Sequence, residues 1–342
     1  MAHLYSEISD DTMSRSSGSS SRTGSRPSTA PTTPSATPST SINSEVVTQK
    51  VLLGPSNMDD ESTAFHGLTS LIANQHKYTF ITIKKLINLV DKIQKECLKS
   101  EAGCYLEIKG IYDDHLEPLE AALMRRGIRS ATLMYEKPVA TLIIKLMPGI
   151  EHESAHLVFI DDITNFIRNL PTHKPSMYAP VGATSFRGIT GRSKQADGAL
   201  QPSTRRPNEF PSFVIEAGYS ESLRQLPFDA HWWLKNSKGQ TKFVLVIQIS
   251  KKPNKLVLEC WTIEKNPSTH DTQNRPALVT KAEQAFEINA AGDVQSTTTP
   301  PTVNLTIPYF AIFDAPHEGM EDIVFDFPQL TDIALRIFSR CL

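Results

Sequence analysis

Hydrophobic and polar positions divide the chain into a polar opening followed by alternating helical and strand patterns. Residues 12–44 (TMSRSSGSSSRTGSRPSTAPTTPSATPSTSINS) are dominated by Ser, Thr and Pro, with almost nothing to bury. That composition cannot offset an ordering cost of about 1–2 kcal/mol per residue, which predicts a disordered tail, placed over residues 1–60. Within 81–98, Ile83, Ile87, Val90 and Cys97, with Leu86 and Ile93 beside them, follow helical spacing. Residues 105–108 alternate as a strand does, 118–126 read as a Pro-initiated helix stopped by Gly127, and 128–135 and 139–146 are β-like. A small α/β domain is the expectation for 61–148.

Pro148-Gly149 is a break, and a second amphipathic helix starts after it. At about 100° per residue, Phe159, Ile160, Ile163, Phe166, Ile167 and Leu170 gather on one side, opposite Asp161, Asp162, Thr164, Asn165 and Arg168. A Gly/Ser/Pro-punctuated loop region covers 171–191. Beyond it, 213–217 (FVIEA) is β-prone, and 223–234 suits a helix with Pro227 in or near its first turn. Residues 242–249 (KFVLVIQI) form a continuously apolar strand, the kind buried on both faces of an α/β sheet. A further strand is expected at 256–263, a polar insertion at 266–301, a strand at 304–313 and a closing helix at 329–340. The second domain of this α/β organisation is thus 149–342.

A formal net charge of -2 over 342 residues excludes a protein basic throughout. Nucleic-acid contact would need a local patch, for which Arg187, Arg192, Lys194, Arg205, Arg206, Lys251, Lys252 and Lys255 are the candidates. Cys97, Cys104, Cys260 and Cys341 include no CxxC pair, which excludes a zinc ribbon and points to a reducing compartment. The acidic start MAHLYSEISDD lacks an apolar leader. Apolar runs such as Val244-Leu245-Val246-Ile247 fall far short of the ~20 residues of a membrane span. The expectation is an intracellular protein without a membrane partner, nuclear or cytoplasmic.

Two candidate sites share one residue. His152-Glu153-Ser154-Ala155-His156 is a literal H-E-x-x-H, which on a helix points two imidazoles at Zn²⁺ and leaves the glutamate to activate water. Its place just after Pro148-Gly149, and Phe159 where a longer form of the motif has Gly, favour packed histidines. The second constellation is Glu153 early in a helix, Asp197, Glu216 inside a strand and Gln248 in the next strand. A carboxylate flanked by Val214, Ile215 and Ala217 is costly to bury without a cation or donors. Carboxylates converging at one sheet edge suit Mg²⁺, which can activate water for phosphodiester cleavage. The alternative is that Glu216 pairs with a basic side chain such as Arg224 or Lys235.

Residues 211–249 (PSFVIEAGYSESLRQLPFDAHWWLKNSKGQTKFVLVIQI), preceded by MPGIEHE at 147–153 and SKQAD at 193–197, resemble a widespread family of uncharacterised fungal proteins. The likeness covers about residues 145–265. That family in turn is similar to the PD-(D/E)xK restriction-endonuclease-like superfamily. The resemblance implies a mixed central sheet flanked by helices, and a Mg²⁺-dependent nuclease or a nucleic-acid-binding relic of one. It assigns Glu153 as the helix carboxylate, Asp197 and Glu216 as metal ligands, and Gln248 as the closing-strand residue. Gly218 stands where the motif has its catalytic lysine, so Lys235 becomes a candidate substitute, with Lys194 and Lys251 as others. A non-catalytic interaction module on the same fold is the rival reading, and a zinc metallopeptidase at 152–156 the third. Trp232 and Trp233, adjacent in a helix, read as core.

Overall fold

The computed structural model describes residues 61–100, 103–128, 131–146, 150–171, 174, 176–182, 184–188, 191–219, 225–251, 254–265, 278–315 and 321–340. The tail expected over 1–60 lies outside them. The first half runs α1 (Glu61–Leu71), β1 (Lys77–Thr79), α2 (Ile83–Ser100), β2 (Cys104–Lys109), α3 (Asp113–Arg126), β3 (Ala131–Glu136) and β4 (Thr141–Leu146). The second half begins with α4 (Ile150–Asn169), β5 (Tyr178–Pro180), β6 (Ser185–Arg187), β7 (Ser193–Gln195), β8 (Gly198–Pro202) and β9 (Phe213–Tyr219). It continues with α5 (Leu226–Asn236), β10 (Phe243–Lys251), β11 (Asn254–Lys265), β12 (Leu278–Asn289) and β13 (Val294–Ser296). Last come β14 (Leu305–Ile307), α6 (Tyr309–Phe313), β15 (Ile323–Phe325) and α7 (Phe327–Phe338). The protein is α/β, with mixed sheets flanked by helices.

The first sheet has the order β1-β2-β4-β3-β7-β6, with only β1 and β2 parallel. Its last two strands come from 185–195, so it draws on both sides of the boundary expected at 148–149. Side chains alternate faces along a strand. Leu106, Ile108, Leu133, Tyr135, Leu142 and Ile144 therefore meet the apolar stripe of α2 (Leu86, Ile87, Val90, Ile93, Cys97) and Leu119 and Leu123 of α3 in one core. Tyr105, Met134 and Ile143 point the other way, into the larger core shared with the second sheet. Every residue of β4 is buried, as a strand covered on both faces requires.

The second sheet has the order β13-β12-β11-β10-β9-β8-β5. Its β9 and β10 are parallel and joined through α5, a βαβ unit. As expected from the sequence, Val244 to Ile247 are fully buried. Helix α4 covers one face: Gly198 faces Ile160 and His156 of α4 together with Ile215 of β9, and a Cβ there would stand 3.5 Å from Ile160. Alternation sends Glu216 to the opposite face, where α5 lies.

Several elements differ from the sequence reading for identifiable reasons. Helix α3 starts at Asp113, five residues before Pro118, because His115 Nδ1 accepts the Tyr112 N–H and secures the first turn. Pro118 is the sixth residue and lies inside the helix, where it cannot donate the i→i−4 bond to Asp114, and Gly127 (φ 78°) stops the helix by donating to the carbonyls of Leu123 and Met124. The loop region at 171–191 contains β5 and β6. Residues 278–289, expected within a polar insertion, form β12 along β11; its Phe286 and Ile288 are buried while Glu287 between them is half-buried, so one polar face produced the polar composition. The strand expected at 304–313 ends at Ile307, because Pro308 offers no N–H for pairing and serves as the N-cap of α6.

Candidate functional site

A row of polar side chains crosses the face of the first sheet that looks toward the second. Register sets Tyr105 of β2 and Thr132 of β3 on either side of Lys145 of β4. Lys194 of β7 stands opposite Met134, two residues along from Thr132 and on the same face. The chain passes from the first sheet to the second between β7 and β8, and Asp197 sits at that crossing. From the other side come Glu216 of β9 and the i, i+4 pair Asp229 and Trp233, one turn apart on α5.

These groups form one hydrogen-bonded ionic cluster. Lys145 Nζ donates to Asp197 Oδ2 at 2.5 Å and to Glu216 Oε2 at 3.1 Å. Lys194 Nζ lies 2.8 Å from Asp229 Oδ1 and 3.2 Å from Glu216 Oε1. The Trp233 indole N–H donates to Glu216 Oε1 at 2.6 Å, the Tyr105 hydroxyl to Asp229 Oδ2 at 3.1 Å and the Ala217 N–H to Asp197 Oδ2 at 2.8 Å. Thr132 Oγ1 reaches Asp197 Oδ1 at 3.3 Å. None of the five charged side chains is more than 3% exposed.

Burial disfavours a charged form, and a nearby opposite charge opposes it. Burial works against the charge of Lys145, yet Asp197, Glu216 and Asp229 hold its ammonium well above the ordinary lysine range. Lys194 is raised likewise against burial, chiefly by Asp229 and Glu216. Burial pushes Glu216 up, countered by the pull of Lys194 and Lys145. Tyr105 is pushed far up by burial and by the neighbouring Asp229.

Of the residues singled out from sequence, Asp197 and Glu216 meet, each within hydrogen-bond reach of Lys145, and Lys194 joins them. The others lie elsewhere. Glu153 is on α4, across the second sheet from Glu216, half exposed and 3.7 Å from His156 Nε2. Gln248 is half-buried on β10 beside Gly218, two residues along from Val246, the partner of Glu216. Lys235 donates instead to the carbonyl of Leu278. The H-E-x-x-H sequence occupies the first turns of α4; His156 is buried beside Gly198, and the side chain of His152 lies outside the described residues, as does Arg224. The indole rings of Trp232 and Trp233 are both core.

Four of the basic candidates pair with carboxylates of the protein itself. Arg192 pairs with Glu136, Lys194 belongs to the cluster, Arg205 binds Asp314 and Lys255 binds Glu287. Arg187 and Arg206 are exposed, and the side chains of Lys251 and Lys252 lie outside the described residues. Sequence reasoning missed Lys145, Asp229, Tyr105 and the role of the Trp233 indole. The available signal was Lys145 itself, a charge inside the buried strand TLIIKL that demands acidic partners.

Asp197 and Glu216 do converge on a single cation position, and the Lys145 ammonium fills it. Mg²⁺ needs near-octahedral oxygen ligands at about 2.0–2.1 Å and usually retains several waters. Here each oxygen of the two carboxylates already accepts from an ammonium, a hydroxyl, an indole or a backbone N–H, inside a fully covered cluster. As arranged, these residues do not fit the metal. Among the described residues no group of three His, Cys, Asp or Glu is arranged to hold any metal ion, Zn²⁺ included. No described helix is long and apolar enough to cross a membrane. No protein-family model matches the chain, and no curated protein matches it.

Proposed function

We propose that the chain is a non-catalytic interaction module on a restriction-endonuclease-like core, its acidic pair converted into an internal ionic clamp. The core assignment draws on the parallel β9–α5–β10 unit, on Asp197 immediately before β8 and on Glu216 within β9, in the order the resemblance implies. One observation carries the non-catalytic reading. Lys145 Nζ lies 2.5 Å from Asp197 and 3.1 Å from Glu216 with the three side chains at most 3% exposed. A tethered ammonium supplies the charge that a dication would bring, and the covering layers keep a phosphodiester from the carboxylates. Recognition then belongs to the outer surface, in a nuclear or cytoplasmic setting. Nucleic acid has less support as the partner, since Arg192, Lys194 and Arg205 neutralise carboxylates of the protein itself.

The test combines melting with cleavage. A ligand that binds only the native state must raise its melting temperature. Mg²⁺, Mn²⁺ and chelator are each expected to leave the melting temperature unchanged, and plasmid, single-stranded DNA and RNA to stay intact. Metal-dependent cleavage that disappears in Asp197→Ala or Glu216→Ala overturns the reading. It would favour the second one, a Mg²⁺-dependent nuclease, for which Lys194 Nζ at 3.2 Å from Glu216 Oε1 offers an amine where Gly218 has none. That reading requires Lys145 to withdraw from the acid pair.

A further inference from the structure

We infer that Cys97 and Cys104 are a redox modification site, a dithiol that closes to a disulfide when a hydroperoxide oxidises the outer thiol. Cys97 is buried at the end of the apolar stripe of α2, and Cys104 is the half-exposed first residue of β2. Near the helix end the Ser100 hydroxyl donates to the carbonyls of Glu96 and Cys97, and the chain returns at Cys104 beside Leu146 of β4. The two sulfurs lie 3.3 Å apart. To reach the ~2.05 Å of a disulfide the sulfurs must approach by about 1.3 Å. Cys260 is fully buried in the second sheet, so peroxide meets Cys104 before it.

The chemistry balances in two steps. The Cys104 thiolate attacks the peroxide O–O bond, giving a sulfenic acid and one water (an alcohol from an organic peroxide). The Cys97 thiol then attacks that sulfenic sulfur, forming the S–S bond and releasing a second water. The two thiols lose two electrons and two protons, and the peroxide is reduced by the same two electrons. A dithiol reductant reverses the change. The product ties the C-terminal turn of α2 to the first strand it covers.

Peptide mapping decides the matter because Lys99 lies between the two cysteines. Full-length protein treated with hydrogen peroxide, alkylated and digested with trypsin without reduction should yield residues 96–99 linked to 100–109. Two of the four thiols should be lost and then recovered on reduction. Preorganisation predicts a rate about tenfold higher in the folded chain than in urea. In Cys97→Ser a dimedone-reactive sulfenic acid should accumulate at Cys104; Cys97→Ala provides the same reading should the serine variant misfold. Peptides that remain unlinked, a link from Cys104 to Cys341 instead, or linkage equally fast in urea would each overturn the inference.

Discussion

The Nζ of Lys145 lies 2.5 Å from Oδ2 of Asp197, a contact that joins the first sheet to the residue where the chain enters the second. Lysine is therefore a cross-sheet staple, not merely a counter-ion. Lys145→Met leaves Asp197 and Glu216 buried with one fewer cation. Removing one partner of a buried ion pair costs about 3–5 kcal/mol, since the other charge stays uncompensated. Urea denaturation should read a loss of that size, and adding Asp197→Asn to Lys145→Met should recover part of it. A loss below about 1 kcal/mol, the range of exposed pairs, would mean that the cluster is open to water.

The Trp233 indole supplies the shortest contact to Glu216 Oε1, at 2.6 Å. Trp233→Phe keeps an aromatic ring in the core and deletes the N–H. Hydrogen bonds to charged groups contribute about 1.5–3 kcal/mol, so the variant should lose at least that much stability. In a Glu216→Gln background the same change should cost less, because the acceptor is then neutral. Equal costs in both backgrounds would place the whole effect in packing.

How far the sequence could be read depended on whether a residue's role was local. Helical spacing predicted α2 and α4 well, and the apolar run KFVLVIQI predicted a strand buried on both faces, because periodicity reports which faces are covered. Strand β12 escaped notice because only one of its faces is apolar, and α6 because Pro308 acts at a single position. Motif order predicts Asp197 and Glu216 as joint metal ligands; in the structure both contact Lys145. The cations were only half anticipated: Lys194 was among the candidates, but Lys145 lies 52 residues before Asp197, on the other sheet, and no spacing rule links them. Glu153 was assigned by its place on a helix, yet alternation along β9 turns Glu216 toward α5, away from α4.

At His231 of α5, unlike at Lys145, burial prevails. Its Nδ1 is 3.0 Å from the Thr280 hydroxyl, while Nε2 is buried with no hydrogen-bond partner among the described residues. Burial, aided by the charge of Lys235, lowers its pKa from 6.5 to about 4. The unfolded chain therefore binds this proton at a higher pH than the folded one, and stability falls as pH drops from about 6.5 to about 4. The full loss from this group is about 3 kcal/mol, at 1.36 kcal/mol per unit. His231→Gln should flatten the stability profile across that window in urea titrations. A slope unchanged by the substitution would show that other groups set the acid sensitivity.

Helix α1 backs this arrangement through a close approach at Gly67. A Cβ on Gly67 would lie 2.5 Å from Cε1 of Phe228, and that ring is buried between α1 and α5. Alanine is favoured over glycine inside a helix by about 1 kcal/mol, so an unconstrained site would gain stability from Gly67→Ala. Here the added Cβ forces the Phe228 ring to shift, and overpacking costs typically about 1–3 kcal/mol. Because Phe228 adjoins Asp229 on α5, displacing the ring also strains the contacts of Asp229 with Lys194 and Tyr105. Gly67→Ala should therefore lower the melting temperature, and pairing it with Phe228→Leu, which removes the offending ring edge, should restore part of the loss. Stabilisation by Gly67→Ala alone would mean that α1 packs less tightly on α5 than this contact requires.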